Sequence, residues 1–167
     1  EARLLFKVHP LDNGLSRWPQ RIKSTAERCG VAKRVFIADG GDTDRLIELS
    51  SGVVVVNSTV GLTAVAAAKP VIALGSAIYD VPGLTAQASL AEFWKCAEAP
   101  DAALFDAFTR ALAATIQVRG GFIGREALDT GVANVAERLM ETEDRLPLSL
   151  RKPRGRPAFR YERELFN

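Results

Sequence analysis

The chain has 167 residues, 47% of them hydrophobic and 25% charged, with a formal net charge of +2. That apolar content can bury one sizeable core, so one domain is the first expectation. A charge this near neutral gives no general affinity for nucleic acid, and no apolar run approaches the ~18 residues of a membrane span.

The charge is unevenly spread. From Leu146 onward six Lys/Arg stand against two Glu for a net +4, which leaves −2 on the rest. Cys29 and Cys96 lie far apart without CxxC spacing, a pattern expected of two reduced thiols in a reducing compartment. No signal peptide is visible, and a cytoplasmic location is expected. The chain lacks an initiator Met and enters directly as a strand, so we expect a piece of a longer protein with further sequence on the N-terminal side.

In chain order, residues 3–8 read as a short apolar strand ending in His9-Pro10, because Pro10 cannot continue a ladder. Asp12-Asn13-Gly14 is a turn signal, after which Ser16 is the expected cap of a helix running to Cys29-Gly30, with Pro19 in its first turn. Lys33 to Ala38 reads as a second strand, Asp39-Gly40-Gly41-Asp42 as a loop, and Thr43 to Ser51 as a short helix. The valine run Val53 to Val56, bounded by Gly52, reads as a third strand buried on both faces. Asn57, Ser58 and Thr59 then deliver a carboxamide and two hydroxyls to the start of an alanine-rich helix that stops at Lys69-Pro70. Val71 to Leu74 is the fourth strand.

Beyond Gly75 the alternation stops. Ser76 to Ala88 reads as a long irregular loop, Ser89 to Cys96 as helical, and Asp101 to Gln117 as a helix with Leu104, Phe105, Phe108, Leu112 and Ile116 on one apolar face. Gly120-Gly121-Phe122 breaks the chain before a last helix, Arg125 to Met140. Two regions follow: an α/β domain over residues 1–142 and a basic, proline-rich tail over 143–167 with no core of its own.

Four strands separated by helical segments predict a right-handed βαβ series and hence a parallel sheet. Such sheets bind ligands outside the carboxyl ends of their strands. His9, Asp39, the Asn57 to Thr59 triplet and the loop from Gly75 through Tyr79 and Asp80 all follow strands and are expected on one rim. His9, the single histidine, reads either as a structural residue at a strand end or, in its cationic form, as a phosphate ligand that stabilises charge on a leaving phosphate. Ser58 or Thr59 either caps its own helix or binds an anion at the helix start.

Other chemistries find less support. Asp42-Thr43-Asp44 imitates a metal-binding DxD, but acidic residues in a first turn complement the helix dipole, and no metal is expected. No P-loop or GxGxxG is present, and Ser58 is not in GxSxG. Arg154-Gly155-Arg156-Pro157 resembles the core of an AT-hook; a solvated tail, or an arm drawn to anionic headgroups, is the preferred reading over nucleic acid.

Four ordered motifs carry a family resemblance: Lys7-Val8-His9-Pro10-Leu11-Asp12-Asn13-Gly14, Val56-Asn57-Ser58-Thr59-Val60-Gly61-Leu62, Leu74-Gly75-Ser76-Ala77-Ile78-Tyr79-Asp80-Val81-Pro82-Gly83-Leu84-Thr85, and Gln117-Val118-Arg119-Gly120-Gly121-Phe122. Over residues 4 to about 142 the chain resembles the C-terminal half of capsular polysaccharide biosynthesis/export proteins of the KpsS/LipB type. The resemblance implies a Rossmann-like parallel sheet with helices on both faces, the nucleotide-binding half of a two-domain (GT-B) glycosyltransferase. It implies Kdo transfer from CMP-Kdo, the donor substrate, to a phosphatidylglycerol lipid acceptor at the inner membrane surface, with no separate cofactor. Other capsule biosynthesis and export proteins are the implied partners.

By the same resemblance His9-Pro10 and Ser58-Thr59 contact the CMP phosphate, with His9 the catalytic residue. Asn57, Gly61 and Gly75 complete the substrate-binding set, and Tyr79 and Asp80 shape the sugar or cytidine pocket. Val8 stands where many members carry a second histidine, a departure that leaves the His9 contact in place. A catalytic carboxylate is expected from sequence outside this chain, which alone should bind CMP weakly and turn over nothing. The alternative expectation is a non-catalytic partner-binding module of the capsule export machinery.

Overall fold

Each pairing of a short apolar strand with a helix and a second strand folds as a β-helix-β unit, because parallel neighbours need a crossover between them. The computed structural model describes residues 2–141, except the Cys96 side chain; Glu1 and residues 142–167, including the tail and Arg154-Gly155-Arg156-Pro157, lie outside the described residues. The chain divides into two compact units, Glu1–Leu46 and Ile47–Asn167.

In the first unit β1 (Leu4–Val8) pairs in parallel with β2 (Val35–Asp39), Leu5 opposite Phe36 and Val8 opposite Asp39, with α1 (Trp18–Arg28) as the crossover. Ser16 does not cap α1. The cap position belongs to Arg17, which takes a left-handed φ of 47° and makes no side-chain cap bond, because the turn begun at Gly14 carries the backbone past Ser16 before the helix starts. Pro19 does sit in the first turn. Gly30, at φ 67°, ends the helix as glycine alone can do cheaply, with the Val31 amide reaching back to the Ala26 carbonyl at 2.9 Å. Leu4, Leu5, Phe6 and Phe36 are exposed, so this sheet is only thinly covered.

α2 (Thr43–Leu49) spans the division, and its start is capped by Asp42, whose carboxylate accepts the Asp44 and Arg45 amides at 2.9 and 3.2 Å. The second unit holds β3 (Val53–Val55), α3 (Val60–Ala66) and β4 (Val71–Ala73), again a parallel pair, with Val55 opposite Ala73. α4 (Leu90–Cys96), α5 (Ala102–Thr115) and α6 (Arg125–Met140) follow.

The β3–β4 sheet has both faces covered. Val55, Val71 and Ala73 point one way, into a core with Ile47, Ala64, Val65, Tyr79 and Leu84, against which Leu104, Phe105 and Phe108 of α5 pack. Ile72 points the other way, against Phe93 of α4, with Val54 and Leu74 beside it. Helices therefore flank this sheet on both sides, as the valine run predicted, and Leu112 of α5 is buried while Ile116 is exposed.

The single four-stranded sheet expected from the sequence needs correction: the four strands hydrogen-bond as two pairs, β1–β2 and β3–β4. The alternation of strand and helix determines strand direction inside each unit; it does not encode which strands become neighbours. No helix among the described residues is long and apolar enough to cross a membrane.

Candidate functional site

At the carboxyl end of β3 the chain leaves the sheet at Val56 and makes a polar turn through Asn57, Ser58 and Thr59, all three exposed. Ser58 is tied down at both of its oxygens. Its Oγ accepts the Val60 amide at 3.2 Å, and its carbonyl accepts the Gly61 amide at 3.0 Å and the Tyr79 hydroxyl. A hydroxyl has one donor and two acceptor lone pairs, so with the Val60 amide on one lone pair the Ser58 proton is available to an outside acceptor. Thr59 occupies the cap position of α3 yet makes no side-chain cap bond. The hydroxyl that caps is thus that of Ser58, by a local bond two residues on.

The neighbouring strand end closes against this turn. The Leu74 and Gly75 amides donate to the Val55 and Val56 carbonyls at 2.8 and 2.7 Å. A Cβ on residue 75 would lie 2.9 Å from Val56 Cγ1 and 3.0 Å from the Val56 carbonyl oxygen, so only glycine lets the two strand ends approach this closely. Gly61 answers a similar demand inside α3: a Cβ there would lie 2.6 Å from Tyr79 Cζ. Both glycines serve backbone approach.

Tyr79 is 2% exposed. Burial pushes its hydroxyl pKa above the ordinary 10.0, and the neighbouring Asp80 charge adds to the effect. Asp80 faces its own loop, with one carboxylate oxygen accepting from Thr85 Oγ1 at 2.7 Å and Gln87 Nε2 at 3.1 Å. The 57–61 segment, Gly75, Tyr79 and Asp80 are therefore brought to one end of the β3–β4 sheet.

His9 and Pro10 stand at the carboxyl end of β1, next to the end of β2 at Asp39. His9 is exposed, and its Nδ1 accepts the Leu11 amide at 3.1 Å while its carbonyl accepts the Asp12 amide at 2.9 Å. With Nδ1 engaged as acceptor, Nε2 carries the proton that the ring can offer to an anion. Pro10 suits this turn, since the following amides are the ones that close it.

The residues at the two strand ends fall in segments that match a known family. The family model described as capsule polysaccharide biosynthesis protein matches residues 1–123. The chain belongs to this capsule polysaccharide biosynthesis family. It is 34% identical over 118 residues to the capsule polysaccharide export protein KpsS of Escherichia coli, a match covering 71% of this chain and 30% of that protein. It is 32% identical over 123 residues to the capsule polysaccharide modification protein LipB of Neisseria meningitidis serogroups A and B, covering 73% of this chain and 29% of theirs. The capsule-synthesis chain thus spans about 30% of the length of these curated relatives. Comparison with the solved structures finds no match.

Three features at the two strand ends escape the sequence: the Tyr79 to Ser58 bond, the fixing of Asp80 by Thr85 and Gln87, and the Leu11 amide on His9. One signal for the first was present. A glycine at position 61 opens an otherwise strongly helix-forming stretch, and glycine inside a helix pattern marks a close neighbour.

Proposed function

We propose that this chain supplies the donor-nucleotide site of a capsule-initiating glycosyltransferase that takes Kdo from CMP-Kdo and passes it to a phosphatidylglycerol acceptor. Residues 1–142 form its Rossmann-like donor domain in a two-domain (GT-B) enzyme, and the basic segment 143–167 serves as the tail of an enzyme working in the cytoplasm at the inner membrane surface. Capsule biosynthesis and export proteins are its partners. The observation that supports this most is the exposed Ser58-Thr59 turn, in which the Ser58 proton and the Thr59 hydroxyl are both available to an anion while the backbone beneath is held rigidly.

In this reading the CMP phosphate takes hydrogen bonds from the Ser58 and Thr59 hydroxyls, and His9 contacts the donor nucleotide through its Nε2–H. The bond from the sugar's anomeric carbon to the phosphate oxygen breaks, its electron pair stays on CMP, and the acceptor oxygen bonds to the anomeric carbon. The hydroxyl donors stabilise the charge gathering on the phosphate. Removing one donor of this kind costs about 2.7–4 kcal/mol of barrier. Asn57, Gly61 and Gly75 give the pocket its shape, and Pro10 orients His9. A catalytic carboxylate, acting at the sugar carbon and taking up the proton the acceptor hydroxyl loses as its oxygen bonds there, comes from sequence outside this chain, so the chain by itself binds the donor without turnover.

Calorimetric titration of CMP into the chain tests this directly. Saturable binding is expected, and Ser58→Ala and His9→Ala should each weaken it. Equal binding by both variants and the wild type would contradict the site, and indifference of the longer protein to CMP would favour a partner-docking module of the export machinery instead.

A further inference from the structure

We propose that Tyr79 is a positioning residue for the nucleotide site, holding the Ser58-Thr59 turn in its anion-binding shape from beneath without touching the ligand. The proposal rests on the reading that this turn grips the CMP phosphate, and it gives Tyr79 a different part from that of a pocket wall.

Burial comes first. At 2% exposure the side chain has no surface to offer a sugar or a base. Its hydroxyl instead donates to the Ser58 carbonyl, which also accepts the Gly61 amide, so both lone pairs of that oxygen are engaged and the peptide plane following Ser58 is fixed. That plane determines where the Ser58 Oγ and the Thr59 hydroxyl stand. Nothing bulkier than glycine fits at position 61 beside the ring, so the tyrosine and the turn are fitted to one another along the ring as well as at its tip.

The brace is itself anchored. The Val81 amide donates to the Tyr79 carbonyl at 2.8 Å, and the Asp80 amide to the Ala77 carbonyl at 3.0 Å. Asp80 is fixed by Thr85 and Gln87, Leu84 is 2% exposed in the core, and the Ala86 amide donates to the Val71 carbonyl of β4 at 2.8 Å. A loop of irregular backbone is thereby braced internally around the tyrosine and tied to the sheet beyond it. Preorganised donors are the ones that stabilise developing charge, because they need no rearrangement as the charge appears.

The test compares CMP with cytidine, which lacks the phosphate, in titrations of the wild-type, Tyr79→Phe and Ser58→Ala chains. Phenylalanine keeps the ring against Gly61 and removes only the hydroxyl. Tyr79→Phe should bind CMP roughly three- to tenfold more weakly, the worth of one hydrogen bond, with cytidine affinity unchanged. A general loosening of the fold would weaken both ligands alike and overturn the positioning role. Wild-type CMP affinity in Tyr79→Phe beside a clear loss in Ser58→Ala would overturn the positioning role and leave the donor site standing. Absence of CMP binding by the wild-type chain would overturn the donor-site reading and this proposal with it.

Discussion

Gly61 and Tyr79 are fitted to each other: a methyl group at position 61 would lie 2.6 Å from the ring carbon that bears the hydroxyl. The helix start and the loop after β4 therefore share one packed contact, directly below the exposed Ser58-Thr59 turn. Gly61→Ala should destabilise the second unit by about 1–3 kcal/mol, the usual cost of overpacking a core. In a Tyr79→Ala background the ring is gone, and the same glycine substitution should cost much less. Urea unfolding of the four chains measures that coupling, and an unchanged cost in the Tyr79→Ala background would contradict the packing described.

Tyr79 also gives the chain an alkaline limit. Burial, then the Asp80 charge, raises its pKa above 10.0 in the folded state, so the neutral phenol contributes stability that is fully present below the unfolded value. That contribution should disappear as pH rises through the folded value, where the tyrosinate can no longer donate to Ser58. Melting curves taken between neutral pH and pH values above 10.0 should show a decline that Tyr79→Phe lacks.

α4 begins with a reciprocal capping box in which the Glu92 amide donates to Ser89 Oγ at 3.3 Å and the Ser89 amide to a Glu92 carboxylate oxygen at 2.9 Å. Ser89→Ala should cost about 1 kcal/mol, the typical worth of an N-cap hydroxyl. The Ser89 hydroxyl first, then the Ser89 amide, holds the Glu92 carboxyl below its ordinary value. Its contribution is therefore present above the unfolded pKa and lost as pH falls through the folded one, and Glu92→Gln should flatten that acid limb in the melting curves.

Gly120 has φ 138°, and a Cβ there would run into the Gly131 backbone of α6. The loop is tied to the same helix by the Gly121 amide on the Ala127 carbonyl at 3.0 Å and by Asn134 Nδ2 on the Arg119 carbonyl at 2.8 Å. Gly120→Ala should detach the loop from α6, with faster amide exchange over the helix and more than the roughly 1 kcal/mol that separates glycine from alanine at compatible sites. Unchanged exchange would contradict the contact.

Much of this was legible in the residues. The valine run and the helices expected from about Thr43, Ser89, Asp101 and Arg125 all occur where periodicity puts them, because each depends on neighbours within a few positions. Strand adjacency was not legible, since a βαβ pattern gives direction without order, and the four strands form two pairs. The role of Tyr79 was hidden for a related reason. An aromatic with a polar tip reads equally as a ligand contact or as core, and only its distant packing against Gly61 and Ser58 distinguishes the two. Ser16 misled because a capping residue type was present while the local backbone turned one residue later, at Arg17.

The central claim is that the hydroxyls of the Ser58-Thr59 turn hold the donor phosphate, and CMP affinity measured beside cytidine affinity in the Ser58→Ala chain tests it most directly. Loss of the Ser58 hydroxyl should weaken CMP binding roughly three- to tenfold, the worth of one hydrogen bond, and leave cytidine binding unchanged. A Ser58→Ala chain that binds CMP as the wild type does would contradict the claim.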